Sequence, residues 1–128
     1  MNQHIGIWID HTSAVIVSAS GSQATTRTLE SGVDQHPRYS GQSGAGGEKK
    51  YEQRHGEQLD RYYDHVILDI GHPEAVLICG PGEAKVELKA RLDRSKAFLN
   101  CVVDVETSDK LTEPQIVAKV KQHFAVAR

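Results

Sequence analysis

The chain of 128 residues fits one domain, long enough to bury roughly two thirds of its unfolded surface without disulfide or metal staples. Fifteen Lys and Arg against seventeen Asp and Glu give a formal charge of -2, which excludes a global basic field and leaves any RNA contact to a local patch. No apolar run approaches membrane length, and the start MNQHIGIWIDHTS lacks the pattern of a secretory signal, so the expectation is a cytoplasmic protein with no membrane contact.

HIGIWID (His4 to Asp10) is rich in Ile and Trp, and SAVIVSA (Ser13 to Ala19) repeats the β-branched content. Asp10-His11-Thr12 between them is a short polar turn, so the two runs read as a hairpin. Ser20-Gly21-Ser22 turns the chain into QATTRTLE, whose threonines suit an exposed strand with one wet face. Residues 31–47 show no periodicity and hold five of the eleven glycines (Gly32, Gly41, Gly44, Gly46 and Gly47). Such a glycine-rich loop is either functional or disordered. Leu59, Tyr62, Tyr63, Val66, Ile67 and Ile70 then recur at helical spacing, with Glu57, Asp60, Arg61 and Asp64 on the other side and Gly71 and Pro73 as stop signals. A helix start near Glu48 puts Lys50 and Arg54 on one face, with Lys49 about 100° away.

AVLICG (Ala75 to Gly80) is apolar throughout, as a strand covered on both faces should be, and belongs in the interior of the sheet. GPGEAKVELKARL turns into a helix using Ala84, Leu88 and Leu92, and CVVDVET (Cys101 to Thr107) is a further strand. Thr112-Glu113-Pro114-Gln115 is a capping box that opens a helix with Ile116, Val117, Val120 and Phe124 on one side. The order βββαβαβα predicts a single α/β domain over 1–128, a mixed sheet with packed helices on the ribonuclease H-like plan.

From Arg38 to Arg54, the cations Arg38, Lys49, Lys50 and Arg54 outnumber the carboxylates Glu48 and Glu52. Glycines around Gly41 permit close backbone approach, and the cations suit phosphates without reading bases. The plain alternative is a surface loop followed by a solvated helix start. In GPGEAK, the turn glycines and the amides opening the helix resemble an anion site that Lys85 would complete, although it is no Walker A loop and any strand-to-helix turn shares part of the pattern. Cys79 and Cys101 form no CxxC or Cys-His arrangement, and both are expected to be reduced structural thiols. His11, His36, His55, His65, His72 and His123 fall into no metal-ligand spacing. No cofactor or metal is implied. Tyr51, Tyr62 and Tyr63 are candidates for base stacking, with Tyr62 at core spacing.

Three segments in this order resemble the middle domain of archaeal and eukaryotic class-1 peptide release factors and Pelota-like proteins. Ser40-Gly41-Gln42-Ser43 with the basic helix after it resembles the family's Gly-Gly-Gln-Ser loop and Arg-rich helix. AVLICGPGEAKVEL is similar to its strand, small-residue turn and helix, and CVVDVET to the strand that follows. The opening IWIDHTSAVIV resembles the first hairpin of bacterial members. The resemblance implies a stand-alone bacterial-type relative, with no stop-codon-reading domain before it and no partner-binding domain after it. Its implied partners are the ribosome, ribosomal RNA or tRNA, held through Arg38, Gly41, Lys49, Lys50, Arg54 and Lys85. In the release factors the glutamine helps place the water that attacks the peptidyl-tRNA ester. Gln42 holds that place here, while Ser40 replaces the first glycine, which costs roughly 1 kcal/mol wherever glycine torsions are needed. Binding is therefore the expected activity and residual ester hydrolysis the secondary one.

Two rivals remain. A metal-dependent ribonuclease H-like nuclease would use Asp10 and Glu57, but two-metal chemistry needs several converging carboxylates, and the fourth strand ends in Cys79-Gly80-Pro81 where a third is expected. A non-catalytic protein-interaction domain, or a homo-oligomer, needs no site chemistry and would show an extensive two-fold interface.

Overall fold

In the computed structural model, Asp10 closes the first hairpin: its Oδ1 accepts from the backbone N–H groups of Thr12 and Ser13, each at 2.8 Å. The structure describes residues 4–20, 23–32 and 45–126, with side chains for 4–19, 23–32 and 56–124. The hairpin joins β1 (His4–Ile9) to β2 (Ser13–Ser20), and β3 (Gln23–Glu30) completes an antiparallel meander. There follow α1 (Ala45–Ile70), β4 (Ala75–Gly80), α2 (Ala84–Arg94), a 3-10 turn at Lys96–Phe98, β5 (Val102–Thr107) and α3 (Glu113–Val126). The sheet order is β3-β2-β1-β4-β5, with β4 parallel to both β1 and β5. This is the mixed α/β sheet that the element order predicts, and the wholly apolar AVLICG lies inside it.

Alternation assigns the two faces. Ile5, Ile7 and Ile9 of β1 with Val76 and Ile78 of β4 pack under α1 and α2, against Tyr62, Tyr63, Val66, Ile70, Leu88 and Leu92. Trp8 of β1 with Leu77 and Cys79 of β4 faces the other way, against Ile116, Val120 and Phe124 of α3. Both central strands are therefore covered twice, which is why their sequences lack a polar face. Gly6 lets α3 sit close: a Cβ there would lie 2.1 Å from Val120 Cγ2. The capping box of α3 forms as expected. Thr112 N–H donates to Gln115 Oε1 at 2.8 Å, and Gln115 N–H donates to Thr112 Oγ1 at 3.3 Å.

One boundary differs. Of the loop expected over 31–47, Ala45, Gly46 and Gly47 belong to α1, and residues 33–44 lie outside the described residues. Glycines oppose helix by about 1 kcal/mol each, so the residues alone argue for a later start. At its other end α1 stops where expected, with Gly71 in the left-handed conformation at φ 67°.

Candidate nucleic-acid interface

Ile9, Gly80 and Thr107 end the three parallel strands on one side of the sheet. That carboxyl end is where ligands bind in open α/β sheets. The Asp10 turn, the GPGEAK turn and Ser31 gather there: Ser31 N–H donates to Thr12 O at 2.8 Å and Ser108 N–H to Gly80 O at 2.9 Å. Gly80 has no room for a side chain, since a Cβ would lie 2.1 Å from Ile9 O. α1 runs down from this end, because β3 finishes there and β4 begins at the opposite one.

Lys85 is where the expected anion site differs from the built one. The residue is 8% exposed and its Nζ donates to Gly82 O, so the ammonium closes the turn from within. A phosphate contact would require that ammonium to leave the turn. α2 starts without a side-chain cap, with Val86 and Glu87 N–H both bonded to Glu83 O.

Tyr62 and Tyr63 are buried in the core rather than offered to bases. Tyr62 OH donates to Asp10 O at 3.0 Å, and Tyr63 OH donates to Glu87 Oε1. Burial pushes both phenols far above their ordinary range; the Asp10 charge adds to this for Tyr62, and the Glu87 hydrogen bond and charge for Tyr63, where Arg91 opposes them. His11 Nε2 lies 3.0 Å from the same Glu87 oxygen. One carboxylate thus links the first turn, α1 and α2. Sequence reasoning missed Glu87 and Arg91 as organisers, since their partners lie far away along the chain.

Arg91 bridges the helices beside them. Its Nη2 donates to Asp60 Oδ1, its Nη1 lies 3.3 Å from Asp64 Oδ1, and the guanidinium carbon stands 5.4 Å from the Tyr63 ring centroid. Gly56, Leu59, Asp60, Tyr63, Glu87, Ala90, Arg91 and Arg94 line an open groove of about 320 Å³ here.

The 26 residues of α1 span about 39 Å, whereas the six-residue strands it crosses span about 20 Å. Its buried residues are Tyr62, Tyr63, Val66 and Ile70, and Tyr62 already reaches the strand ends. α1 is therefore about twice as long as those strands, and Gly56 and Leu59 near its middle lie beside Ala90, Arg91 and Arg94 of α2. Lys49, Lys50 and Arg54 lie in the N-terminal half of α1, with positions 50 and 54 one turn apart on one side. Arg38, Gly41 and Gln42 lie outside the described residues.

Asp10 is occupied by its own turn and Glu57 is exposed on α1. Among the described residues no group of three or more His, Cys, Asp or Glu side chains is arranged to hold a metal ion. Among the same residues no helix is long and apolar enough to cross a membrane. Cys79 is fully buried, and burial pushes its thiol up to about 11. Cys101 is half-buried, and burial raises its thiol too.

No family model matches the sequence, and no curated protein matches it. Solved structures do. Pelota of Archaeoglobus fulgidus superimposes with a TM-score of 0.55 at 13% identity, over 94% of this chain and 31% of Pelota. The archaeal translation termination factor aRF1 gives 0.48 at 16% identity, over 98% of this chain and 40% of its own. Dom34 of S. cerevisiae, a translation termination-like factor involved in RNA quality control pathways, gives 0.44 at 11% identity, over 97% and 37%. The Pelota likeness shows the fold, and the chain spans about a third of Pelota's length.

Proposed function

We propose that this protein acts in translation as a cytoplasmic RNA-docking domain, presenting the N-terminal part of α1 to ribosomal RNA or tRNA. The observation that carries the reading is that Lys49, Lys50 and Arg54 fall within one helix, in the N-terminal half of α1, with positions 50 and 54 one turn apart. On a chain of formal charge -2, cations gathered on one helical segment can approach phosphates while the remaining surface does not attract them. The Pelota-like fold and the resemblance of the Ser40 to Ser43 loop support the same assignment. Arg38 and Gly41 belong to the docking segment by that resemblance. Lys85 joins it only if RNA draws its ammonium out of the turn. Ester hydrolysis by water placed at Gln42 is the finer part of the proposal, and a Gln42→Ala chain that binds normally but cleaves peptidyl-tRNA more slowly would support it.

Co-sedimentation with ribosomes across a salt series tests the docking. Affinity should fall linearly on logarithmic axes, and the Lys50→Ala, Arg54→Ala double variant should lose about two units of slope, one for each phosphate contact. A double variant with the parental slope removes α1 from the interface.

A further inference from the structure

We propose that Arg91 is the positioning residue for the N-terminal half of α1, setting the angle at which that half of the helix passes α2. The inference rests on the docking role assigned to that segment. Asp60 and Asp64 lie one turn apart on α1, so a single guanidinium that meets both resists tilt as well as rotation of the helix about its axis. The clasp is one-sided in its burial: the Arg91 side chain is 22% exposed, while Asp60 and Asp64 are 62% and 64% exposed. Arg91 is therefore anchored on α2, and from α1 it meets the Tyr63 ring and the two carboxylates.

Its position along the helix gives the clasp leverage. Among the α1 side chains described, which begin at residue 56, Asp60 is the most N-terminal with an ion pair or hydrogen bond. Below it, Tyr62, Tyr63, Val66 and Ile70 are buried and Asp69 pairs with Arg27 of β3 at 2.6 Å. Above it, Leu59 is half-buried against the core and Gln58 is half-buried, while Gly56 and Glu57 are exposed and a Cβ built on Gly56 meets nothing within 4 Å. A tilt of about 10° at the clasp moves the helix end by about 4 Å over the roughly 20 Å that residues 45–58 span. That is more than a phosphate contact tolerates.

The test places spin labels at Gln53→Cys and Thr25→Cys in the full chain carrying Cys101→Ser, and reads their distance distribution by double electron–electron resonance. Arg91→Met, and separately Asp60→Asn with Asp64→Asn, should broaden the distribution or shift it by several ångström, with Arg91→Lys between them and the parent. The two arms open the clasp from opposite sides, so a folding defect confined to one does not mimic the result. An unchanged distribution in both overturns the proposal. In ribosome co-sedimentation the same variants should bind about fivefold more weakly, the scale on which exposed ion pairs act, with an unchanged salt slope. A slope reduced by one unit makes Arg91 a phosphate contact instead, and also overturns the proposal. If the parent chain does not bind ribosomes, the docking role falls while the distance measurement still decides what Arg91 does.

Discussion

A methyl group added at Gly6 would lie 2.1 Å from Val120 Cγ2 and 2.7 Å from Val120 Cγ1, inside the contact between β1 and α3. A methyl added at Gly56 would meet nothing within 4 Å. The same substitution should therefore act in opposite directions. Gly6→Ala is expected to cost about 1–3 kcal/mol through overpacking, and Gly56→Ala to gain about 0.5–1 kcal/mol by relieving glycine's entropy in a helix. Urea midpoints of the two variants measure this, and a stabilised Gly6→Ala would mean that α3 does not pack on β1 as described. The sequence reveals neither role, because the first depends on Val120, a contact distant along the chain. Lys85 shows the same limit: the GPGEAK pattern marks a turn with a nearby cation, while the bond of that cation to Gly82 O exists only in the folded turn. Asp10 is the opposite case, since an acid between two β-branched runs bonds its own turn and the bonds are local.

Elements whose signals are local were legible, and the capping box of α3 is the clearest. Thr112→Ala removes the hydroxyl that accepts from Gln115 N–H and should cost about 1 kcal/mol, read as a lower thermal midpoint with an unchanged fold. If the midpoint does not move, the box contributes nothing to α3. AVLICG was equally legible as an interior strand, because cover on both faces leaves no polar positions. The start of α1 was not. Gly46 and Gly47 have poor helix propensity, yet both lie in a 26-residue helix. The ties of α1 to its neighbours, Tyr63 to Glu87, Arg91 to Asp60 and Asp64, and Arg27 to Asp69, join elements whose spacing carries no periodic signal. The basic segment of the candidate interface could be read from its charges, but its membership of one helix with the core-packed Tyr62, Val66 and Ile70 is visible only in the fold.

For the molecule as a whole, the buried phenols and thiol set the alkaline limit. The Cys79 thiol titrates at about 11 rather than its ordinary 9.0, chiefly because burial penalises its anion, and burial raises Tyr62 and Tyr63 as well. In this window the unfolded chain has already lost protons that the folded chain retains, so stability present below pH 9 is lost as pH rises toward 11. Urea midpoints should fall between those values, and Cys79→Ala should flatten the first part of the fall, before tyrosine ionises in the unfolded chain. A parent midpoint independent of pH up to 11 would show that the thiol is not shielded. The same central strands also order events in time. β1 finds β2 across a short turn, but its other neighbour is remote, with His4 paired to Ala75. At ordinary synthesis rates the two partners emerge roughly 4–14 s apart. Through that interval β1 has one open edge of unpaired backbone groups on a strand apolar on both faces, the condition for pairing with another nascent chain. The arrival of β4 closes that edge, so the period of greatest aggregation risk ends only when Gly80 has emerged.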